Sequence, residues 1–218
     1  MLISQAVVRL DLAGEELWLL PQRCIWWPAR GTLIAGDLHL GKSGHFRSAG
    51  LAVPQAVLTA DLERLCGLIE SLPVRRLLCL GDLFHSRVNP EWPLVLDYRA
   101  RFEDVEFVLI RGNHDVLPAH RYAELNIAVL DELTEGPFLF VHDPADAAPA
   151  ADITMSGHVH PGVRLRGRGR QTMRLPCFYL GSKTLLLPAF SEFTGLALLR
   201  PGAGDRVWVI ADGCVVGV

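Results

Sequence analysis

Short apolar runs that end in glycine followed by a polar side chain are the feature that most limits how this chain can fold. Three such runs end in AGDLH, LGDLFH and RGNHD, at residues 35–39, 80–85 and 111–115. Glycine lets the backbone turn sharply and approach a ligand closely. In open α/β sheets, ligands gather beyond the carboxyl ends of the strands, so we expect these three loops to meet at one site.

The spacing of apolar residues predicts alternating strands and helices in the first half and mostly strands in the second. Strands are expected over 2–10, 16–20, 32–35, 77–80 and 107–110, and helices over 54–72 and 93–102. Later apolar runs predict strands over 127–130, 137–141, 152–155, 176–180, 184–187, 196–200 and 207–210. Such a chain suits two sheets packed face to face with helices outside. No composition shift marks a boundary, so we expect one domain spanning residues 1–218.

Composition excludes several classes of protein. Mean hydropathy is +0.26 and charged residues make up 21%, which excludes a disordered chain. The apolar runs fall short of the ~20 residues that span a bilayer, and acidic residues occupy the early positions where a signal peptide is apolar, so we expect a cytoplasmic protein without a membrane partner. The five cysteines form no close pair and are expected to be free thiols. Net charge is −3, so any nucleic-acid contact must be a local patch.

Metal-ligating side chains recur in the strand-end clusters. Asp37 and His39 are separated by one residue, and on an extended segment that spacing points both side chains the same way. The other candidate donors are Asp82, Asn113, His142, His158 and His160. Seven donors are too many for one tetrahedral ion, so two divalent ions sharing a carboxylate are expected. Mixed imidazole and carboxylate ligation suits manganese, iron or zinc and argues against magnesium, calcium or thiolate chemistry.

Each cluster alone also fits an ordinary turn or cap, and His142 alone fits a core histidine. Five clusters in order, each after an apolar run, favour a shared metal site.

With these clusters the chain resembles the calcineurin-like metallophosphoesterase superfamily. The matching pieces are GDLH at 36–39, GDLFH at 81–85, GNHD at 112–115, His142, and GHVH at 157–160. The resemblance implies a four-layer α/β/β/α sandwich of two mixed sheets with two metals at the sheet edge. It also implies the ligands: Asp37, His39 and His160 for one metal, Asn113, His142 and His158 for the other, and Asp82 between them.

Two further segments, HLGKSGHFRSAGLAVP at 39–54 and LLLPAFSEFTG at 185–195, resemble the DNA-ligase-associated branch of this superfamily. That resemblance implies a DNA-damage-response endonuclease that acts on nucleic acid, expected to be single-stranded DNA, in association with a DNA ligase, a helicase and a nuclease. Manganese is the expected metal, with iron or zinc as alternatives.

A pair of ions about 3.5–4 Å apart can hold a hydroxide between them for in-line attack on phosphorus. The resemblance makes His114 the group that assists the leaving oxygen, with Asp115 orienting its ring or stabilising the loop. His85 either assists the same step or bonds a carbonyl. A metal-free scaffold would lack ligands, and here every donor is present.

Substrate contacts are expected from basic residues near the metal motifs. The candidates are Lys42, Arg47, Arg164, Arg166 and Arg168. Guanidinium groups pair well with phosphate, and strand alternation puts the last three on one face. A solvated turn is the alternative for the arginines, and a helix cap for Lys42. The rival function is hydrolysis of a small phosphodiester or a nucleotide phosphomonoester at the same two-metal site.

Overall fold

The computed structural model describes residues 6–42, 56–85, 92–147, 152–167, 169 and 171–218, and only the backbone of residues 56–58. In this part of the chain, one sheet runs in sequence order, from an antiparallel meander into parallel strands. Its strands are β1 (Val8–Leu12), β2 (Glu15–Leu20), β3 (Cys24–Trp27), β4 (Thr32–Ala35), β5 (Arg76–Leu80), β6 (Glu106–Ile110) and β7 (Ile127–Leu130).

The second sheet has the order β14-β11-β12-β13-β10-β9-β8, with β15 pairing β12 and β16. Its strands are β8 (Leu133–Glu135), β9 (Phe138–Val141), β10 (Ile153–Ser156), β11 (Pro161–Arg166), β12 (Thr172–Gly181), β13 (Thr184–Leu186), β14 (Ala197–Leu198), β15 (Arg206–Ala211) and β16 (Cys214–Gly217). Strands β9, β10 and β13 are parallel neighbours, whereas β11, β12 and β15 pair antiparallel. Both sheets are therefore mixed, which confirms the predicted α/β fold.

The core has a layer on each side of the first sheet. On β5, Leu77 and Cys79 face the helices α1 (Ala56–Ser71), α2 (Trp92–Ala100) and α3 (Ala119–Glu124), while Leu78 and Leu80 face the second sheet. Both faces of β5 are buried after Arg76, which is why residues 77–80 form an unbroken apolar run. Trp27 packs edge-on against Phe138 of the second sheet, with ring centroids 5.1 Å apart.

A third, smaller apolar layer covers the outer face of the second sheet and includes Val163, Cys177, Val207 and Val209. No helix among the described residues contributes to it. The five cysteines are free, and burial raises the pKa of the Cys66 thiol to about 11, as expected for inert core thiols. Within the described residues, no helix combines the length and apolar character needed to cross a lipid bilayer.

Candidate metal centre

Five strand ends from the two sheets meet at one edge of the sandwich. Strands β4, β5 and β6 are parallel neighbours in the first sheet, and β9 and β10 are parallel neighbours in the second. Each is followed directly by candidate ligands. We call these residues the strand-end cluster: Asp37, His39, Asp82, Asn113, His142, His158 and His160.

On one side of the cluster, Asp37, His39 and His160 each offer a ligand atom, and these atoms lie within 4.8 Å of one another. The Asp37 side chain is fully buried, and His160 Nε2 lies 3.2 Å from its Oδ1. The backbone N–H of His158 donates to both Asp37 oxygens, at 3.1 and 3.0 Å. The first sheet's carboxylate is therefore held in place by the second sheet's backbone.

On the other side, the His142 ring is oriented by the chain itself. Its Nδ1 lies 3.0 Å from the Leu80 carbonyl, which only accepts hydrogen bonds, so Nδ1 carries the proton. The remaining nitrogen, Nε2, lies 3.0 Å from Asn113 Oδ1, 3.1 Å from His158 Nδ1 and 3.6 Å from Asp82 Oδ1. Asp37, Asp82 and His142 also offer ligand atoms within 4.8 Å of one another, which joins the two sides.

Several of these neighbouring atoms can act as electron-pair donors to a metal ion. With the proton on Nδ1, Nε2 of His142 is free to offer a lone pair, and the facing amide oxygen of Asn113 is also an electron-pair donor. His158 Nε2 lies 3.5 Å from Asp143 Oδ2, which favours the proton there and leaves the lone pair of Nδ1 toward His142. Lone pairs packed this closely repel unless a cation lies among them, so the residues fit a divalent metal.

Burial keeps one imidazole of the cluster, that of His39, suited to ligation. Burial, reinforced by the nearby Lys42 ammonium and the His160 ring, lowers the pKa of His39 to about 2, so this ring is neutral at physiological pH. Burial also lowers the pKa of Lys42 itself. A neutral imidazole is the form that binds a metal ion.

The backbone at the cluster is strained. Asp37, His39, Asp82, His158 and His160 all have positive φ, between 48° and 65°. This left-handed conformation costs roughly 1–2 kcal/mol per non-glycine residue and persists where the surroundings enforce it. Here His39 N–H donates to the Asp82 carbonyl at 2.8 Å, and Asp37 N–H to the Gly81 carbonyl at 3.1 Å. Asp37 and His39 thus reach one point through left-handed turns, and the predicted extended alternation is wrong.

Glycine is required where strand ends touch the cluster. At Gly81, with φ of 78°, an added Cβ would lie 1.9 Å from His142 Nδ1. At Gly112 it would lie 2.3 Å from Asp82 Oδ1. Both loops therefore approach the ligands more closely than any side chain allows.

Two histidine rings stack beside the cluster. His85 and His114 lie 5.3 Å apart with an interplanar angle of 19°, and each is about 5.5 Å from His39. The backbone N–H of His114 donates to Asp82 Oδ1 at 2.9 Å.

The Asp115 carboxylate accepts hydrogen bonds from Gly112 N–H at 2.9 Å and Phe84 N–H at 3.2 Å. Burial raises the pKa of Asp115 to about 6, although these N–H groups act in the opposite direction. Its oxygens serve the loop backbone, which favours the loop-stabilising alternative over orientation of the His114 ring.

The predicted substrate contacts are only partly described. Arg47 and Arg168 lie outside the described residues. Arg164 and Arg166 on β11 and Arg174 on β12 are exposed, and we call these three the arginine hairpin. Arg164 lies directly opposite Arg174 in the antiparallel register, and no ion pair among the described residues holds either. Lys42 is half-buried, and its N–H donates to the His39 carbonyl at 3.1 Å.

Sequence reasoning missed two residues here. The Asp143 side chain accepts a hydrogen bond from Ala145 N–H at 2.8 Å and faces His158. Its position directly after His142, in the sequence VHDP, is the signal that could have found it. Phe193 lies with its ring centroid 5.7 Å from Lys42 Nζ. The sequence marks its segment, 185–195, only by the family resemblance.

Comparisons with known proteins agree with this geometry. The profile of the calcineurin-like phosphoesterase family matches residues 32–158. The solved structure of the Pseudomonas putida nuclease MPE is 35% identical, covers 97% of this chain and 100% of that one, and has a TM-score of 0.83.

Two more distant structures also match. The phosphoesterase Yfce from E. coli is 16% identical over 86% of this chain and 97% of that one, with a TM-score of 0.45. The protein AQ665 from Aquifex aeolicus is 18% identical over 59% and 78%, with a TM-score of 0.43. No sequence among curated proteins matches the chain. The profile match and the 35% identity over nearly the whole chain show that this protein belongs to the calcineurin-like phosphoesterase family.

Proposed function

We propose that this protein is a manganese-dependent phosphodiesterase that cuts single-stranded DNA during DNA repair. The observation that carries the proposal is the convergence of potential ligand atoms from five strand ends. Likeness to the P. putida nuclease, at 35% identity over 97% of this chain, supports nucleic acid as the substrate class. Iron and zinc are the alternative metals, because the donors are imidazole, carboxylate and amide groups.

The cluster divides into two ligand sets with one residue between them. One metal would be held by Asp37, His39 and His160, the other by Asn113, His142 and His158, with Asp82 shared. Asp82 suits the shared position because its Oδ2 lies 3.9 Å from His39 Nε2 and its Oδ1 lies 3.6 Å from His142 Nε2. One carboxylate thus faces both sides.

When bound, two divalent cations supply Lewis acidity to the phosphodiester and to the attacking water. The chain's own part is proton transfer at the leaving oxygen. The leaving group of a nucleic-acid phosphodiester is a weakly acidic alcohol, so its departure needs a proton. The stacked rings of His114 and His85 lie beside the proposed ligand His39. We assign this step to His114 with assistance from His85.

Basic side chains would hold the rest of the strand. Arg164 and Arg166 lie on β11, which begins directly after His160, so the arginine hairpin extends outward from the cluster. Lys42 lies three residues after His39. Arg47 and Arg168 complete the proposed phosphate contacts from outside the described residues. Such contacts position a strand without reading its sequence.

The cellular part of the proposal rests on the two segments that resemble the DNA-ligase-associated branch, 39–54 and 185–195. Likeness to the P. putida nuclease is consistent with that branch. We infer that the enzyme works in the cytoplasm in association with a DNA ligase, a helicase and a nuclease.

Hydrolysis assays test this proposal directly. With manganese added, we expect cleavage of bis-p-nitrophenyl phosphate and of a labelled single-stranded oligonucleotide, little hydrolysis of the p-nitrophenyl monoester, and no activity with a chelator. Activity on small esters without cleavage of the oligonucleotide would favour the small-substrate alternative. Full activity in the chelator would overturn the metal mechanism.

A further inference from the structure

The segment after β13 pairs with the backbone of a proposed metal ligand. Phe190 N–H donates to the Gly36 carbonyl at 2.8 Å, and Ser191 N–H donates to the Asp37 carbonyl at 3.3 Å. Any side chain that this segment presents outward is therefore fixed relative to Asp37.

The same segment is held from its other side by two arginines. Arg64 of α1 donates to the Phe190 carbonyl and pairs with Asp61 at 2.8 Å and with Glu192 at 3.1 Å. Arg23 donates to the Ser191 carbonyl at 3.1 Å. These bonds hold the backbone of the turn just before Phe193.

Hydrogen bonds within the turn fix the backbone of Phe193 itself. Its N–H donates to Ser191 Oγ at 3.2 Å, and Thr194 Oγ1 donates to the Ser191 carbonyl at 3.1 Å. Its side chain is 39% exposed, and it is the one aromatic among the large exposed hydrophobic side chains of the described residues. A rigid turn thus presents an aromatic ring to solvent.

Lys42 lies beside this ring, with its Nζ 5.7 Å from the centroid. The backbone N–H of Lys42 also donates to the backbone carbonyl of His39, a proposed metal ligand. An aromatic face and an ammonium group therefore lie together next to the proposed metal centre. Single-stranded nucleic acid is bound by this combination, because every base has a face that stacks and every nucleotide carries a phosphate.

We propose that Phe193 is a nucleobase-stacking residue, and that Lys42 binds the phosphate of the same or the adjacent nucleotide. The inference rests on the proposed function and adds to it that recognition includes a base as well as the phosphodiester. It predicts tolerance of base identity, because stacking requires only an aromatic face.

The test compares a normal single strand with one of equal length that carries abasic sites around the cleavage position. Phe193→Ala should raise KM on the normal strand by about tenfold, the scale of base–aromatic stacking, and leave KM on the abasic strand unchanged. Phe193→Trp should restore binding. Val216→Ala, an exposed apolar side chain on β16, is the control and should behave as wild type on both strands.

Equal loss on both strands, or no loss on either, would overturn the stacking role. A binding measurement separates this outcome from failure of the proposed function. An oligonucleotide containing 2-aminopurine, mixed with the protein in calcium buffer, should lose fluorescence with wild type and keep it with Phe193→Ala. If wild type cleaves no diester but still quenches the base, the nuclease assignment fails and the stacking contact stands. If wild type does not quench it, the stacking contact fails.

Discussion

The strand-end cluster and the arginine hairpin are both sets of polar side chains, and they are built in opposite ways. Most of the cluster is buried, and its side chains are held by backbone N–H and carbonyl groups on left-handed turns. The hairpin arginines are exposed, and two of them face each other across the strands. The chain's own backbone orients side chains of the cluster, whereas the proposed role of the hairpin depends on charge alone. Substitutions should therefore have large, metal-linked effects in the cluster and small, salt-dependent effects in the hairpin.

The largest effect is expected from Asp82→Ala, which removes the carboxylate that we propose is shared by both ligand sets. In wild type, manganese at about 100 times its Kd should stabilise the fold by about 2.7 kcal/mol, raising Tm by roughly 5–10 °C. Asp82→Ala should abolish both this shift and diester hydrolysis. Thermal unfolding with and without manganese measures the shift in Tm. The control is Asp11→Ala, which removes an exposed carboxylate on β1. A shift retained in Asp82→Ala would contradict the assignment.

His114→Ala separates chemistry from metal binding within the cluster region. Turnover on a labelled single-stranded oligonucleotide should fall by about 100- to 10,000-fold, because the leaving sugar oxygen loses its proton donor. Turnover on bis-p-nitrophenyl phosphate should fall much less, because p-nitrophenolate leaves without protonation. The metal content, measured by elemental analysis, should stay that of wild type. His120→Ala, an exposed histidine on α3, should change neither quantity. Empty metal sites in His114→Ala would instead give this residue a structural role.

Gly81→Ala tests whether the cluster tolerates any added atom. The new Cβ would overlap the His142 ring on a left-handed backbone, so the free energy of unfolding should fall by about 2–4 kcal/mol and the manganese shift should disappear. The matched control is Gly67→Ala in α1, where nothing lies within 4 Å of the added Cβ. There the helix should gain up to about 1 kcal/mol. Urea denaturation measures both, and equal responses would show that the strand ends are not tightly packed.

Asp143→Asn sharpens the comparison at the edge of the cluster. The substitution keeps an oxygen to accept from Ala145 N–H but removes the charge that faces His158 Nε2. Manganese affinity, measured by titration calorimetry, should fall by about 10- to 100-fold, as is typical when the partner of a ligating histidine is lost. Asp146→Asn in the same turn is the control. Unchanged affinity in Asp143→Asn would limit Asp143 to capping the turn.

The smallest effect is expected in the arginine hairpin. Replacing Arg164 and Arg174 with glutamine should weaken single-strand binding and reduce its salt dependence, by about 0.7 in the log–log slope for each lost phosphate contact. Stability should rise by a few tenths of a kcal/mol, because like charges no longer face each other. Hydrolysis of bis-p-nitrophenyl phosphate should not change. Arg9→Gln on β1 serves as the control, and an unchanged salt slope would leave the arginines as a solvated surface.

Prediction from the sequence succeeded where a local pattern of residues is compatible with only one kind of secondary structure. The predicted strand over 32–35 coincides with β4, and the helix predicted over 54–72 contains α1. It failed for β3 (Cys24–Trp27), β8 (Leu133–Glu135) and α3 (Ala119–Glu124). These short elements have three to six residues and are stabilised by their neighbours in the fold.

The sequence by itself determined which groups are available for chemistry, because glycine followed by aspartate, asparagine or histidine after an apolar run carries both the turn and the donor. Only the tertiary structure decided how they converge. The left-handed turns at Asp37 and His39, the proton position on His142 and the Asp143–His158 contact depend on groups distant in the chain. The same holds for Phe193, whose segment is fixed by arginines from the β2–β3 turn and α1. A local pattern contains no information about such partners, since backbone strain and ring orientation are stabilised by contacts that form only when the sheets pack.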